Sequence, residues 1–318
     1  MSIVDEITRL TSAKADIKAA IEAKGVSVPS TAHLDAFPSY VSAISGGGGG
    51  VSIDDIAMKS LSGAIVGSGA TSIRAGAFQS FSYITGASFP NVTYLSNSAF
   101  TGCSRIAYAS FPKASFIGIN AFRQCSALSE AYFPLVETLR ESAFALCGML
   151  SSVSFPLLRS VFASALEYTA ISMLSFPLIT AVGYSSVFAY MSSLELVNLP
   201  AINRTYHYMF WSDINLRTVY MGKNANSSTF CVLYPSVFGR CYNLLSLYLL
   251  HTQVMSLSHI NAFSSTPISN YTASTGGVNG SIFVRASLLD AYKTATNWAT
   301  YSSRFVGLTD EEIAALPI

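Results

Sequence analysis

The amino-acid sequence predicts a repeat solenoid, and two interleaved periodic patterns carry this prediction. The pair Phe-Pro returns every 21 or 22 residues and is followed 23 residues later by Leu199-Pro200, and a second pair, mostly Ala-Phe, returns out of phase with it. A period this short and regular is typical of one supersecondary unit stacked on copies of itself. The Phe-Pro pairs begin at Phe89, Phe111, Phe133, Phe155 and Phe176; the second pattern places Phe78, Phe100, Phe122, Phe144, Phe188 and Phe210.

Composition limits the classes of function that the chain can have. Only 11 % of the 318 residues are charged, while 51 % are hydrophobic. Polar residues or glycine interrupt each apolar run before the roughly 18 residues that a membrane span needs, so we expect no membrane insertion. The formal net charge of +1 comes without a run of Lys or Arg, so we expect no nucleic-acid partner.

The first 50 residues predict a separate small module. Apolar residues three or four apart predict an amphipathic helix over residues 3–24, and a second short helix opens at Pro29. Two helices of this size bury too little surface to be stable alone. We therefore expect residues 1–45 to form a helical head that assembles with other copies, as a homo-oligomer, or docks through residues 1–44 on a larger assembly. The glycine run at 46–50 predicts a flexible linker.

The start of the chain also bears on localisation. Residues 1–6 lack the basic start and apolar stretch of a secretory signal. The sequence therefore predicts a protein that is made in the cytoplasm and leaves it only through lysis or assembly.

The repeats align as Ala-Phe-x-x-Cys-x-x-Leu-x-x-Ala-x-Phe-Pro-x-Leu-x-x-Leu. Alternating apolar and polar residues before each Pro predict a short strand, which Pro ends because it lacks an N–H group. The following Ala-Phe is expected on an irregular return arc with its ring pointing inward, where burial contributes about 1.5–3 kcal/mol. About nine such coils are predicted over residues 51–281, followed by a strand-helix cap at 282–308. A capping box at Thr309 and Glu312 predicts a short helical tail over 309–318.

Four of the five cysteines share one position, three residues after a repeat Phe: Cys103, Cys125, Cys147 and Cys241. Metal ligands usually come in close pairs such as C-x-x-C, which this chain lacks. A column of small buried thiols is therefore predicted, with a stacked disulfide as the alternative. Replacing Cys125 with Ser is expected to leave a buried hydroxyl without a partner.

The repeat period loosens after Phe210, which predicts insertions near Asn224–Pro235 and Ser256–Ile260. Insertions in solenoids lie on one face, often the binding face. The predicted strands also direct two ladders of side chains outward, and these ladders either keep the surface soluble or form a recognition face. The first ladder is Tyr108, Glu130, Ser152, Met173, Leu196 and Thr218; the second is Ser88, Ser110, Tyr132, Ser154, Ser175, Asn198, Tyr220 and Tyr248.

The repeat unit, with its Cys and Phe-Pro positions, resembles the BspA-like leucine-rich repeats of surface and tail proteins from gut bacteria and their phages. The segment from Ile282 to Trp298 resembles the terminal segment of that family, except that Arg285 stands where proline is usual. We therefore expect a looser strand end at Arg285. The stretch from Ile7 to Gly25 resembles a helical module that opens many phage tail proteins.

These resemblances imply a phage virion protein of the tail or receptor-binding type, whose head contacts other virion proteins and whose solenoid binds a host glycan or protein. The alternative is a bacterial cell-surface adhesin of the same repeat family. The resemblance fixes no ligand residues.

Five aromatic residues are the candidate binding residues. Tyr206, Tyr208 and Trp211 are expected in a loop, while Tyr220 and Tyr248 share an outward ladder, so that a flat ligand could touch both groups. The loop residues either stack on sugar rings or peptide, or cover a gap where the repeat is irregular.

Catalytic and metal-binding patterns are missing from the sequence. The four histidines have no metal-ligand spacing, no Gly-x-Ser-x-Gly motif occurs, and the carboxylates show no close pairing within a plausible cleft. We therefore expect no catalytic residues, cofactor or metal. This argues against a third hypothesis, a carbohydrate-active enzyme built on a solenoid.

Overall fold

A computed structural model describes residues 15, 18, 19, 22, 63–67, 69–225 and 231–318. The strands are β1 Gly63–Val66, β2 Ser72–Ile73, β3 Ile84–Ser88, β4 Tyr94–Leu95, β5 Tyr108–Ser110, β6 Phe116–Ile117, β7 Glu130–Tyr132, β8 Thr138–Leu139, β9 Ser152–Ser154, β10 Ser160–Val161, β11 Met173–Ser175, β12 Ala181–Val182, β13 Leu196–Leu199, β14 Thr218–Met221, β15 Val232–Leu233, β16 Ser246–Leu249, β17 Ser256–Leu257, β18 Ser281–Arg285 and β19 Phe305–Leu308. The α-helices are α1 Leu289–Thr294 and α2 Asp310–Ala314, and 3-10 helices span Ile260–Phe263, Pro267–Ser269, Ala273–Thr275, Ala286–Leu288 and Trp298–Arg304.

The strands that precede the Phe-Pro positions pair in parallel and form the first face of each coil. Their order is β1-β3-β5-β7-β9 in one sheet and β11-β13-β14-β16-β18-β19 in the next. Ala109 pairs with Ala131 and both are buried, while their neighbours Tyr108 and Glu130 pair on the outside. The repeat solenoid is confirmed, and so is the register of both outward ladders within each of these two sheets. Strands β9 and β11 belong to different sheets, so strand pairing does not test the step from Ser152 to Met173 or from Ser154 to Ser175.

A second parallel sheet lies where the sequence predicts only irregular return arcs. Its strands are two residues long and run in the order β12-β10-β8-β6-β4-β2, and β15-β17 pair in the same way. Leu95, Ile117 and Leu139 are the buried residue of three successive strands. A strand of two residues shows no alternation of apolar and polar side chains, so the sequence pattern cannot predict it.

The third face is held by backbone hydrogen bonds between turns. The N–H group of Phe100 donates to the carbonyl of Ala121 in the next coil at 2.7 Å, and that of Gly102 donates to Arg123 at 2.8 Å. Residues with positive φ recur there, as at Ser98 (56°) and Gln124 (62°). Backbone hydrogen bonds therefore join neighbouring coils on all three faces, although the first-face sheet is interrupted between β9 and β11 and the second-face sheet between β12 and β15.

Phenylalanine rings fill the interior in two parallel columns. In one column Phe100 stacks on Phe122 at 5.1 Å, and in the other Phe111 stacks on Phe133 at 5.1 Å. The columns contact each other edge to face, as Phe100 does with Phe111 at 5.9 Å. Aromatic pairs of this kind contribute about 0.5–1.5 kcal/mol beyond the area they bury. The predicted inward direction of the Ala-Phe rings is confirmed.

The cysteine column is buried and its thiols are free. Each thiol donates to a Phe carbonyl of the preceding coil, Cys125 to Phe100 at 3.1 Å and Cys147 to Phe122 at 3.0 Å. The buried-thiol prediction is confirmed. The expectation that a Ser hydroxyl at position 125 would lack a partner is wrong, because the Phe100 carbonyl is in reach of that position.

In the longer coils, the additional residues lie at positions other than those that the sequence predicts. Ser256–Ile260 is not an insertion, since Ser256 and Leu257 form β17 and pair with β15. The additional residues lie at 250–255 and at 264–280, the latter with two 3-10 helices. In the predicted insertion Asn224–Pro235, residues 226–230 lie outside the described residues, and Val232–Leu233 is strand β15. The distance between two repeat Phe residues does not say where within a coil the extra residues lie.

The C-terminal segment covers the last coil. Trp298 is fully buried and its indole N–H donates to the Met255 carbonyl at 2.6 Å. The capping box of Thr309 and Glu312 is present at the start of α2. The expected looser strand end at Arg285 is wrong, because the Arg285 guanidinium donates to the Leu250 carbonyl at 3.1 Å and to Asp310 at 2.6 Å.

Four positions within the predicted first helix, residues 15, 18, 19 and 22, are helical. Lys18 and Glu22 form an ion pair at 3.7 Å, one turn apart. The remaining predictions for the head, the linker and residues 51–62 lie outside the described residues. Within the part of the chain that is described, no helix has both the length and the apolar character needed to cross a membrane.

Candidate functional site

The loop predicted to bind a ligand is an exposed turn held by inward neighbours. Arg204 forms a β-bridge with Val232 of the next coil. Met209 and Phe210 are fully buried, and the Phe210 ring lies between those of Phe188 and Phe238 at 5.6 and 5.4 Å. Because this anchor fixes the turn, the side chains that flank it point to the surface.

The structure brings these flanking side chains together with aromatic residues of the neighbouring coils. We call this surface the Tyr206–Trp211 patch, which consists of Tyr184, Arg204, Tyr206, His207, Tyr208, Trp211, Tyr234 and Arg240. Tyr206 stacks on Tyr234 at 5.4 Å, and His207 meets Tyr234 edge-on at 5.3 Å. Tyr208 contacts Trp211 edge to face at 5.3 Å, and Tyr184 lies 6.4 Å from Tyr206. The ring contacts connect the whole surface.

Two arginines lie on the rings of this patch. The Arg204 guanidinium is 5.4 Å from the Tyr206 centroid and 5.8 Å from that of Tyr234, and it donates to the Tyr234 hydroxyl at 3.0 Å. The Arg240 guanidinium lies 5.2 Å from the Trp211 centroid. A cation over the face of an aromatic ring is attracted to it, and this attraction favours the arginine rotamers that keep the guanidinium groups on these rings.

The absence of a side chain at Gly239 determines how closely the Trp211 ring packs on the backbone of the neighbouring coil. A Cβ atom at Gly239 would come within 2.2 Å of that ring, so the indole lies directly on the glycine backbone. Trp211 is half-buried in consequence, while Tyr208 keeps 43 % of its surface exposed.

The two ladder residues, Tyr220 and Tyr248, lie on the first face and belong to a separate stack. Tyr248 is packed between Tyr220 and Phe283, with centroids 4.4 Å away on both sides. Tyr220 is only 8 % exposed, so the expectation that it is an exposed side chain is wrong. Among the described rings, no contact joins this stack to the Tyr206–Trp211 patch. The structure therefore does not bring the two groups of predicted residues together.

Other aromatic pairs were not selected by the sequence analysis. Tyr94 stacks on Phe116 at 4.6 Å on the second face. Tyr168 stacks on Tyr190 at 4.6 Å, and with Thr169 these rings line a hollow of about 270 Å³. The signal that could have revealed both pairs is an aromatic residue that recurs after one repeat length.

Two buried titratable groups lie inside the coils near the patch. Burial raises the pKa of Asp213 well above its usual range; one carboxylate oxygen accepts the Met191 N–H at 2.7 Å and the other has no partner. Burial lowers the pKa of His251, whose Nε2 lies 2.8 Å from the Ile202 carbonyl. Within the described ranges, no three His, Cys, Asp or Glu side chains are grouped as metal ligands.

Comparison with known proteins defines the class of this chain. The sequence matches the BspA type leucine-rich repeat region in six copies, over residues 57–171, 115–245 and 159–287. The chain belongs to this family, and its parallel strands and stacked coils agree with the assignment.

The chain is also similar to solved structures of leucine-rich repeat proteins. A leucine-rich repeat protein from Bacteroides ovatus is 17 % identical with a TM-score of 0.49, covering 75 % of this chain and 69 % of that one. A leucine-rich repeat protein from T. pallidum is 18 % identical with a TM-score of 0.40, covering 54 % and 73 %. A leucine-rich cell surface protein from Faecalibacterium prausnitzii is 14 % identical with a TM-score of 0.32, covering 77 % and 85 %. The comparison with curated proteins gave no match.

Proposed function

We propose that this chain is a non-enzymatic binding protein that recognises a surface glycan or protein through the Tyr206–Trp211 patch. One observation carries the proposal: the exposed turn bears connected aromatic side chains, and buried Met209 and Phe210 hold it rigidly. Tyrosine and tryptophan supply large contact areas at low entropic cost, and a fixed turn reduces that cost further.

We further propose that the solenoid is displayed on a phage virion, as a tail or receptor-binding protein docked through residues 1–44. The apolar stripe of residues 3–24 and the glycine run at 46–50 support this role. The family match spans only residues 57–287, so a bacterial cell-surface adhesin fits that match equally well. Mass spectrometry of purified virions and of a cell-surface fraction separates the two, since the protein should be enriched in only one of them.

A paired substitution tests the binding surface. Replacing Tyr208 and Trp211 together by Ala should reduce adsorption of the full chain to host cells or purified surface glycans at least tenfold, because each buried aromatic contact is worth about 1.4 kcal/mol or more. The control replaces Tyr94 and Phe116, a stacked aromatic pair on the second face in which Tyr94 is exposed and Phe116 is half-buried. Both variants should keep the wild-type melting curve. Undiminished adsorption by the Tyr208/Trp211 variant, or an equal loss in the control, would show that the patch is not the binding surface.

A further inference from the structure

The C-terminal half of the solenoid has an unusual balance of charge. Between residues 196 and 289 the basic residues are Arg204, Arg217, Lys223, Arg240 and Arg285, whereas Asp213 is the sole acidic residue. Residues 63–195, in contrast, contain six Lys or Arg and five Glu. The sequence therefore makes the longer coils cationic, although the chain as a whole is nearly neutral.

The single acid in this stretch does not neutralise the surface. Asp213 is fully buried, and desolvation favours its protonated form. Among the described residues, the ion pairs of arginine include Arg140–Glu141, Arg159–Glu137 and Arg285–Asp310. Arg204 and Arg240 belong to none of them.

The two arginines also lie at different parts of the aromatic surface. Arg204 packs over Tyr206 and Tyr234, and Arg240 packs over Trp211. Both side chains are exposed. A guanidinium has five N–H donors in a fixed fork, and the donors that do not bond to Tyr234 can reach a ligand.

From this geometry we propose that the Tyr206–Trp211 patch binds an anionic polysaccharide whose sugars carry carboxylate groups. Arg204 and Arg240 donate paired hydrogen bonds to carboxylates of the polymer, and the sugar rings lie against Tyr208 and Trp211. Arginine suits this role because its planar fork matches a carboxylate in bidentate fashion. This inference rests on the proposed function, since it names the ligand class of the same surface.

The arrangement favours a polysaccharide over the other anionic polymers. Single-stranded nucleic acid needs open ring faces for successive bases and a basic groove along its backbone. Here Tyr206 and Tyr234 cover each other, and Arg204 lies on both rings. Anionic membranes attract clusters of several Lys or Arg, whereas only two unpaired arginines lie on the patch.

The experiment measures binding of the full chain to four immobilised probes: a polyuronate, neutral dextran, oligothymidylate and phosphatidylserine vesicles. We expect the polyuronate to bind most tightly, and raising the ionic strength to weaken this binding because the charges are exposed. Replacing Arg204 and Arg240 together by Gln should weaken polyuronate binding by roughly tenfold or more. The control variant, Arg105→Gln with Arg159→Gln, changes the net charge equally on distant coils and should bind as the wild type does.

The outcomes separate this inference from the proposed function. One outcome would overturn the anionic ligand class and still support the patch as the binding surface. In that outcome dextran and polyuronate bind equally well, the Arg204/Arg240 variant binds both as the wild type does, and replacing Tyr208 and Trp211 abolishes binding. An equal loss of affinity in both arginine pairs would also overturn it, because net charge alone would then explain binding. Tightest binding to oligothymidylate or to the vesicles would assign the patch to that partner instead. A chain whose binding does not depend on Tyr208 and Trp211 would contradict the proposed function itself.

Discussion

Asp213 occupies the position that cysteine holds in Cys103, Cys125, Cys147 and Cys241. The thiols there donate to Phe carbonyls, and burial raises the pKa of Cys103 to about 12, so the Cys103 thiol stays neutral. A carboxyl group in the same column accepts the Met191 N–H instead. The repeat tolerates this acid because a protonated carboxyl carries no charge into the core.

Replacing Asp213 by Asn should remove a pH dependence of stability. The pKa of Asp213 is higher in the folded chain than in the unfolded one, where it is about 3.9. The contribution of the Asp213 carboxyl to the free energy of unfolding is therefore fully present below about pH 4, and it is lost as the pH rises through the pKa of the folded chain. The Asn side chain keeps an acceptor for Met191 and has no proton to lose.

Denaturant titration at several pH values measures this pH dependence of stability in the wild type and in the Asp213→Asn variant. The free energy of unfolding of the Asn variant relative to wild type should rise by about 1 kcal/mol or more between pH 4 and pH 8. The Thr169→Ser variant, altered at the same repeat position without a change in charge, serves as the control and should show no such trend. A constant difference for Asp213→Asn across this range would mean that the carboxyl is not protonated in the folded chain.

The turn that bears Trp211 depends on a glycine in the neighbouring coil. Replacing Gly239 by Ala should displace the indole, because the new Cβ would overlap the ring. Overpacking of this kind costs about 1–3 kcal/mol. The matched control is Gly148→Ala, whose Cβ would meet nothing within 4 Å.

Intrinsic fluorescence reports the displacement. The chain has two tryptophans, and Trp298 is fully buried in the C-terminal segment, so a change in quenching by iodide reflects Trp211. The Gly239 variant should show stronger quenching and weaker ligand binding, whereas Gly148→Ala should resemble wild type in both. Unchanged quenching in the Gly239 variant would mean that the ring does not rest on this glycine.

The sequence predicted those elements whose residues recur at the same position in many coils. Five or more Phe-Pro and Ala-Phe pairs fixed the first face and both Phe columns, since one register satisfies all of them. The two-residue strands of the second face carry too few side chains to show a pattern. Tyr234 and Arg240 were missed because the lengthened coil places Tyr234 28 residues after Tyr206, beyond the 22-residue spacing that revealed the other columns.

Exposure was harder to predict than register. Tyr220 lies on the predicted ladder, yet it is buried beside Tyr248 and Asn198. Alternation along a strand says which face a side chain points to, but neighbouring coils decide whether solvent reaches it. The prediction that Tyr206, Tyr208 and Trp211 lie in a turn agrees with the structure, because the buried Phe210 side chain anchors this turn in the core.

At the scale of the whole molecule, the coils between Phe89 and Phe144 contact their neighbours through the same set of interactions. Backbone hydrogen bonds on three faces and stacked Phe rings repeat from one of these coils to the next. The stability of such an array is approximately a sum of single-coil and nearest-neighbour terms. Removing a whole coil should therefore preserve every type of contact, while removing half a coil should not.

Deleting residues 112–133 removes one 22-residue period and joins Phe111 to Pro134, which restores a Phe-Pro pair. We expect this variant to melt cooperatively, at a temperature lowered by several degrees because one nearest-neighbour interface is lost. Its binding through the Tyr206–Trp211 patch should match that of wild type, since the patch lies several coils away. Deleting only residues 112–122 should abolish cooperative melting, because Ala-Phe positions would then face Phe-Pro positions across the cut. Calorimetry distinguishes the two results, and equal stability of the two deletions would contradict a core specified by the 22-residue phase.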